Sequence, residues 1–270
     1  MKRAFLIALA ISLLTACATS PTGRKQLMLI SPESAIVQSK AAYLDTVSDF
    51  DKQNKLVDDP KLADRVATIT GRLVTEAVAM YPNSRNWEWS VAIVDDPETV
   101  NAWCMAGGRM AVYTGLFEKL KLTDAEFAQI MGHEISHALA NHTAERMSRA
   151  MATTLGVVAV GAMSDKPGVT MAGAAVAAKL ALELPNSRTA ESEADRIGME
   201  LAVRAGYDPD AAVTLWQKMG AVGGASPPQF LSTHPAPGNR EEALAKMIPE
   251  MRKLNPTGKL APVHPVEIVR

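Results

Sequence analysis

The chain has 270 residues, 47% hydrophobic, 21% charged and 5% aromatic, which is enough apolar sequence for one sizeable core and argues against a disordered or fibrous protein. Lysine and arginine number 28 against 29 aspartates and glutamates; a net charge of -1 without a long basic run argues against nucleic acid as a partner. Two cysteines and no CxxC pair leave no disulfide framework and no cysteine-based zinc or redox motif.

Met1-Lys2-Arg3 gives a positive start, Ala4 to Ala16 is almost wholly apolar, and Leu14-Thr15-Ala16-Cys17 ends the segment as a bacterial lipobox does. Residues 1–16 are therefore expected to be a lipoprotein signal peptide, with Cys17 the lipidated first residue of the mature chain; an ordinary cleaved signal or an uncleaved anchor is the competing reading. Processing removes Lys2 and Arg3, takes the formal charge from -1 to -3 and leaves Cys104 as the one free thiol. Ala18, rather than an Asp at that position, predicts the periplasmic face of the outer membrane. Acyl chains contribute about 0.8 kcal/mol per buried CH₂, so attachment to the membrane needs no spanning helix.

Residues 17–30 are expected to form a tether, 31–254 the folded domain and 255–270 an irregular tail. Ser31-Pro32-Glu33 opens a helix to about Phe50, and Asp59-Pro60 opens another that carries Leu62, Val66, Ile69 and Leu73 on one face and stops near Tyr81-Pro82. Trp87 to Val94 and Arg109 to Tyr113, the second reached from Ala102-Trp103-Cys104 through Gly107-Gly108, predict a small antiparallel sheet. Thr123-x-x-Glu126 is a capping box for a helix from Asp124 to about His142. Two apolar stretches, Met151 to Met163 and Val169 to Leu184, are each shorter than the roughly 20 residues of a bilayer span; close helix packing is favoured over contact with the membrane surface. Helices are also expected over Thr189 to Ala205, Asp208 to Met219 and Arg240 to Leu254, with a Pro/Gly-rich loop from Gly223 to Asn239. The fold class expected is α+β, mostly helical.

The chemistry concentrates at His133-Glu134-Ile135-Ser136-His137, an HExxH motif inside the helix that the capping box predicts. Residues four apart share a helix face, so both imidazoles can reach one ion with Glu134 beside them. Zinc suits such ligands and lowers the pKa of a bound water to about 7, leaving Glu134 as proton acceptor. Two helix histidines beside a surface glutamate would look the same, so a third ligand is needed. A metzincin arrangement is excluded, because Thr143 and Ala140 stand where its His and Gly would be. His142, nine residues on, would lie about 180° round the same helix. Glu191 and Asp195 are four apart at the start of another predicted helix, so one carboxylate could bind the ion while the other bonds a ligand histidine; an acidic first turn that complements the helix dipole would explain Glu191 or Glu193 equally well.

HExxH with the downstream Glu191-x-x-Ala194-Asp195 resembles metallopeptidase family 48, the gluzincins of the HtpX and CAAX prenyl protease superfamily, and most nearly their bacterial lipoprotein branch. Thr22-Gly23-Arg24-x-Gln26-Leu27, Asn101-Ala102-Trp103 leading to Gly107-Gly108, Tyr113-Thr114-Gly115-Leu116, Gly132 and Ser187-Arg188 extend the resemblance from the lipobox to about Leu244. It implies a zincin-like fold with the HExxH motif on the active-site helix and one zinc ion per chain, held by His133, His137 and Glu191. Asp195 becomes the partner of His133, Glu193 a non-ligand and Glu134 the catalytic base.

Thr233-His234-Pro235 with Arg240 resembles a loop that reaches the active site in the lipoprotein branch; His234 could stabilise the oxyanion or occupy the open zinc position and hold the enzyme inactive. The strand led by Asn101, Ala102 and Trp103 is a candidate for pairing with an extended substrate, its competing role being a plain sheet edge. Cys104 is expected to be a buried small hydrophobe and His264 part of the tail. The activity expected is that of a lipid-anchored periplasmic zinc metalloendopeptidase acting on polypeptides, and the resemblance implies unfolded or misassembled envelope proteins. The alternatives are a chaperone-like or latent zinc protein capped by His234, and a membrane-interacting structural lipoprotein.

Overall fold

A computed structural model describes residues 17–163, 187–222, 228–235 and 239–270. The signal peptide expected at 1–16, the apolar stretch Val169 to Leu184 and parts of the Pro/Gly-rich loop lie outside the described residues. The chain divides into two compact units. One comprises, among the described residues, 17–37 and 141–163; the other comprises 38–140 and the described residues from 187 onward.

In the first unit, β1 (Cys17–Thr19) pairs antiparallel with β2 (Lys25–Leu27), Cys17 opposite Leu27, through a turn in which Gly23 takes a φ of 89°. The expected tether is therefore an ordered hairpin over much of its length. It is held by Glu145, near the start of helix α5 (His142–Met163), whose buried carboxylate accepts from both terminal nitrogens of Arg24 (2.9 and 2.7 Å), from Gln26 Nε2 (3.0 Å) and from Arg149. No described helix is long and apolar enough to cross a membrane.

The second unit is built on a four-stranded sheet of order β4 (Ala102–Met105), β5 (Arg109–Tyr113), β3 (Ser90–Val94), β6 (Glu267–Val269). The β4–β5 hairpin is antiparallel, with Gly107 and Gly108 in its turn at φ of 91° and 84°. β3, however, pairs with β5 in parallel, and so does β6 with β3. The reason is the connection: β4 takes the outer edge, so the hairpin returns β5 alongside β3 in the direction of β3. Every residue of β3 is buried, as expected for a strand covered on both faces. The tail expected to be irregular thus ends in a strand, and His264 N donates to Gly71 O at 3.1 Å on the way there.

Both sheet faces are covered. Ala92, Val94 and Ala111 pack with Tyr43 and Val47 of α1 (Pro32–Lys52). Val91, Ile93, Met110, Val112 and Cys104 join the main core with Val66, Ile69 and Leu73 of α2 (Pro60–Met80) and Ile130, Met131 and Ile135 of α4 (Asp124–Leu139); the short α3 (Gly115–Leu120) lies between β5 and α4 in sequence. The architecture is mostly helical α+β. Asp59 caps α2, its Oδ1 accepting from Lys61 N at 2.9 Å, and the capping box of α4 is complete: Glu126 N donates to Thr123 Oγ1 (3.2 Å) and Thr123 N to Glu126 Oε2 (2.8 Å).

α4 stops at Leu139 rather than near His142, because Asn141 turns into the left-handed region at φ 56°; His142 opens α5 and does not continue the motif helix. Among the described residues the remaining α-helices are α6 (Arg188–Arg204), α7 (Asp210–Val222), α8 (Gln229–Thr233) inside the predicted loop, and α9 (Arg240–Met251). α4 and α6 touch backbone to backbone at two glycines. A Cβ on Gly132 would stand 2.6 Å from Gly198 O, and one on Gly198 would stand 2.6 Å from His133 N. Only glycine at both positions permits this approach, and it sets Glu191 and Asp195 beside the HExxH motif.

Candidate metal centre

α4 projects His133 and His137 on one face, and the first turns of α6, capped by Ser187 Oγ accepting from Ala190 N (3.3 Å), project Glu191 and Asp195 toward them. His133 Nε2 is 3.0 Å from His137 Nε2 and 3.3 Å from Glu191 Oε2, and His137 Nε2 is 3.5 Å from Glu191 Oε1. His234, just after α8, completes the cluster: its Nδ1 is 3.2 Å from both His133 Nε2 and Glu191 Oε1. Ligands on a tetrahedral ion with bonds of about 2.0–2.1 Å stand about 3.3–3.4 Å apart. The spacings of 3.0–3.5 Å match the edges of such a cage, so the residues present fit one small divalent ion with N/O ligands. All four ligand candidates are buried.

Asp195 Oδ1 lies 3.0 Å from His133 Nδ1, on the far side of the ring from the cage. A carboxylate there fixes the tautomer with Nδ1 protonated and Nε2 turned to the ion. Glu134 points from α4 toward β4, where its carboxylate accepts from the Cys104 backbone N–H. Its Oε1 is buried without a hydrogen-bond partner, with His234 Nε2 3.3 Å away.

A sequence profile of peptidase family M48 matches residues 60–248. The chain belongs to peptidase family M48. It is 31% identical over 254 residues to the mitochondrial metalloendopeptidase OMA1 of Bos taurus, an alignment that covers 90% of this chain and 48% of the relative. It is 35% identical over 206 residues to the mitochondrial metalloendopeptidase OMA1 of Arabidopsis thaliana, covering 75% of this chain and 40% of the relative. It is 29% identical over 194 residues to the beta-barrel assembly-enhancing protease of Escherichia coli, covering 68% and 38%. The chain thus spans about half the length, or less, of these relatives.

Electrostatics within this M48 site follow from burial and close pairing. Burial opposes the charged form of His133, but the carboxylates of Asp195 and Glu191 outweigh it and push the imidazole up to about 9. Burial works to raise the Glu191 carboxyl, and hydrogen bonds from His133 and His234 outweigh it, holding it well below the ordinary carboxylate range. Glu134 goes the other way: burial raises it, with the charges of His234 and His133 opposing. Burial pushes the Cys104 thiol up, and the charge of Glu134 adds to the effect, which leaves it a small buried hydrophobe.

The structure brings together His133, Glu134, His137, Glu191, Asp195 and His234; Glu193 is buried but outside the cluster. β4 is the outer strand of the sheet and runs beside Glu134. Tyr113 N donates to Asn101 O (3.1 Å), so by alternation the backbone groups of Ala102 and Cys104 face away from β5. Asn101 itself is buried, with its Oδ1 accepting from Ala102 N at 3.0 Å. The Trp103 ring packs edge-on to Tyr43 at 5.9 Å, on the α1 face of the sheet and away from α4. Sequence reasoning missed two participants: Phe230, stacked on His234 at 4.5 Å, and the Cys104 amide. Arg240, which the resemblance named together with the His234 loop, meets Asp195; tertiary packing creates these contacts, and no local spacing signals them.

Proposed function

We propose that this chain is a zinc metalloendopeptidase whose ion is held by His133, His137 and Glu191. The observation that carries the reading is the triangle of their donor atoms at 3.0–3.5 Å with Glu134 beside it, a buried carboxylate with one oxygen unbonded. An ion held there supplies Lewis acidity, lowering the pKa of a water to about 7 and polarising the scissile carbonyl. Glu134 takes the proton of the attacking water and passes it to the leaving amine; burial raises its pKa, so the carboxyl can hold that proton in transit. Asp195 keeps His133 in the required tautomer. An extended substrate would pair with the outward edge of β4 through the carbonyl oxygens of Ala102 and Cys104, whose N–H groups already serve Asn101 Oδ1 and the Glu134 carboxylate, with Asn101 and Trp103 as its structural frame.

Attachment to the membrane by lipid on Cys17, at the periplasmic face of the outer membrane, belongs to the same proposal. Its supports are the lipobox and the exposure of Cys17. Unfolded or misassembled envelope proteins are the proposed substrates, a role supported by the name of the E. coli relative, a beta-barrel assembly-enhancing protease; the support for placing this chain in the lipoprotein branch is the lipobox itself.

Zinc content and casein hydrolysis test the activity. Wild type and Glu134→Gln should each hold about one zinc and only wild type should cleave; cleavage by Glu134→Gln would remove the proposed base. A second reading, a latent enzyme, is favoured by His234, whose Nδ1 stands where a fourth ligand would. His234→Ala should then raise hydrolysis, whereas a fall would assign His234 to the transition state.

A further inference from the structure

Three carboxylates converge on the metal centre from two helices: Glu134 from α4, and Glu191 and Asp195, one turn apart, from α6. Glu191 is fully buried and Asp195 nearly so, so their mutual repulsion acts where water screens little. The cation that faces them is Arg240, the first residue of α9, itself 4% exposed. Its guanidinium carbon lies over the Trp216 ring of α7, 3.8 Å from the ring centroid. One terminal nitrogen, Nη2, meets the same Asp195 Oδ1 that accepts from His133 Nδ1, and passes 3.3 Å from that ring nitrogen. The other, Nη1, is 3.5 Å from Glu191 Oε2 and 3.5 Å from the backbone oxygen of His234. A divalent ion and one guanidinium balance the three carboxylates.

We infer that Arg240 is a positioning residue of the metal centre. Its planar fork, fixed from behind by Trp216, holds Glu191 and Asp195 at the spacing the ion requires and ties the His234 segment to them. This rests on the metal-site reading proposed above. A role through charge alone predicts the opposite outcome: removing a cation beside a divalent ion tightens binding. If the fork positions the ligands, removal loosens binding although repulsion of the ion has been relieved. Lysine keeps the charge but offers a point donor on a flexible stem in place of two nitrogens in one plane, so it should not substitute.

The test is the zinc dissociation constant by chelator competition for wild type, Arg240→Ala, Arg240→Lys and Trp216→Phe, with thermal melting of the metal-free proteins in parallel. Arg240→Ala and Arg240→Lys should each weaken zinc by about 10- to 100-fold, the range seen when a partner of a metal ligand is lost. Trp216→Phe, which keeps an apolar ring under the guanidinium, should weaken it in the same direction by less, and it carries the test if Arg240→Ala does not fold. Zinc bound as tightly or more tightly by Arg240→Ala, or wild-type affinity restored by Arg240→Lys, would overturn the inference. Wild type without zinc would instead overturn the metal-site reading, and the role of Arg240 with it.

Discussion

Gly198→Ala adds one methyl group where α6 crosses α4, and the structure sets its cost. The new Cβ would stand 2.6 Å from His133 N and 2.8 Å from both Gly132 C and His133 Cα, against 3.4 Å for ordinary contact. These are backbone atoms and have no rotamer to give, so the helices would have to part by about 0.8 Å. Alanine gains about 0.5–1 kcal/mol over glycine within a helix, but overpacking costs about 1–3 kcal/mol. We expect a net loss of about 1–2 kcal/mol, a drop of about 3–6 °C in Tm for a domain of this size. The same movement separates Glu191 from His133, now 3.3 Å apart, by several times the roughly 0.2 Å that a metal site tolerates. Zinc affinity should fall at least about tenfold. Thermal melting without metal and chelator competition measure the two effects separately. Gly220→Ala, in α7 with nothing within 4 Å of its added Cβ, is the control and should stabilise. A Gly198→Ala protein that melts at or above wild type and binds zinc undiminished would refute the reasoning.

Glu191→Ala should lose zinc and Glu193→Ala keep it, and equal metal content in the two would reassign the ligand. Glu126 links the start of α4 to α7: Thr214 Oγ1 (2.9 Å) and Lys218 Nζ (2.6 Å) both donate to its carboxylate. Burial opposes ionisation there, but Lys218 and the threonines outweigh it and lower the pKa. Glu126→Gln should therefore cost about 1–3 kcal/mol at pH 7 by urea unfolding. Because the folded pKa is depressed, that advantage of the wild type is complete above the unfolded value of about 4.3 and vanishes as pH falls through the folded one. A difference between the two proteins that persists unchanged at pH 2 would contradict the assignment.

Where local chemistry decides structure, the sequence was readable. Asp59-Pro60 and Thr123-x-x-Glu126 mark helix starts because a side-chain oxygen satisfies an amide that would otherwise lack a partner, and both caps form. The i,i+4 spacings of His133 with His137 and of Glu191 with Asp195 survive into the site because a helix converts spacing directly into a shared face. Strand direction is different. Nothing within Ser90–Val94 or Arg109–Tyr113 says whether they run parallel; the outer position of β4 decides it. Glu267–Val269 is too short to show a period, and its pairing comes from β3. The break at Asn141 rests on one left-handed residue in a sequence of helical composition. Arg240 meets Asp195 from another helix, 45 residues away, a contact that exists only after folding.

The most direct test of the central claim is X-ray absorption at the zinc edge on the reconstituted protein, wild type beside Glu191→Ala. The account predicts one zinc per wild-type chain in a shell of nitrogen and oxygen at about 2.0–2.1 Å with imidazole scattering, and its loss or rearrangement in Glu191→Ala. A sulfur ligand at about 2.3 Å, or a shell unchanged in the variant, would contradict it.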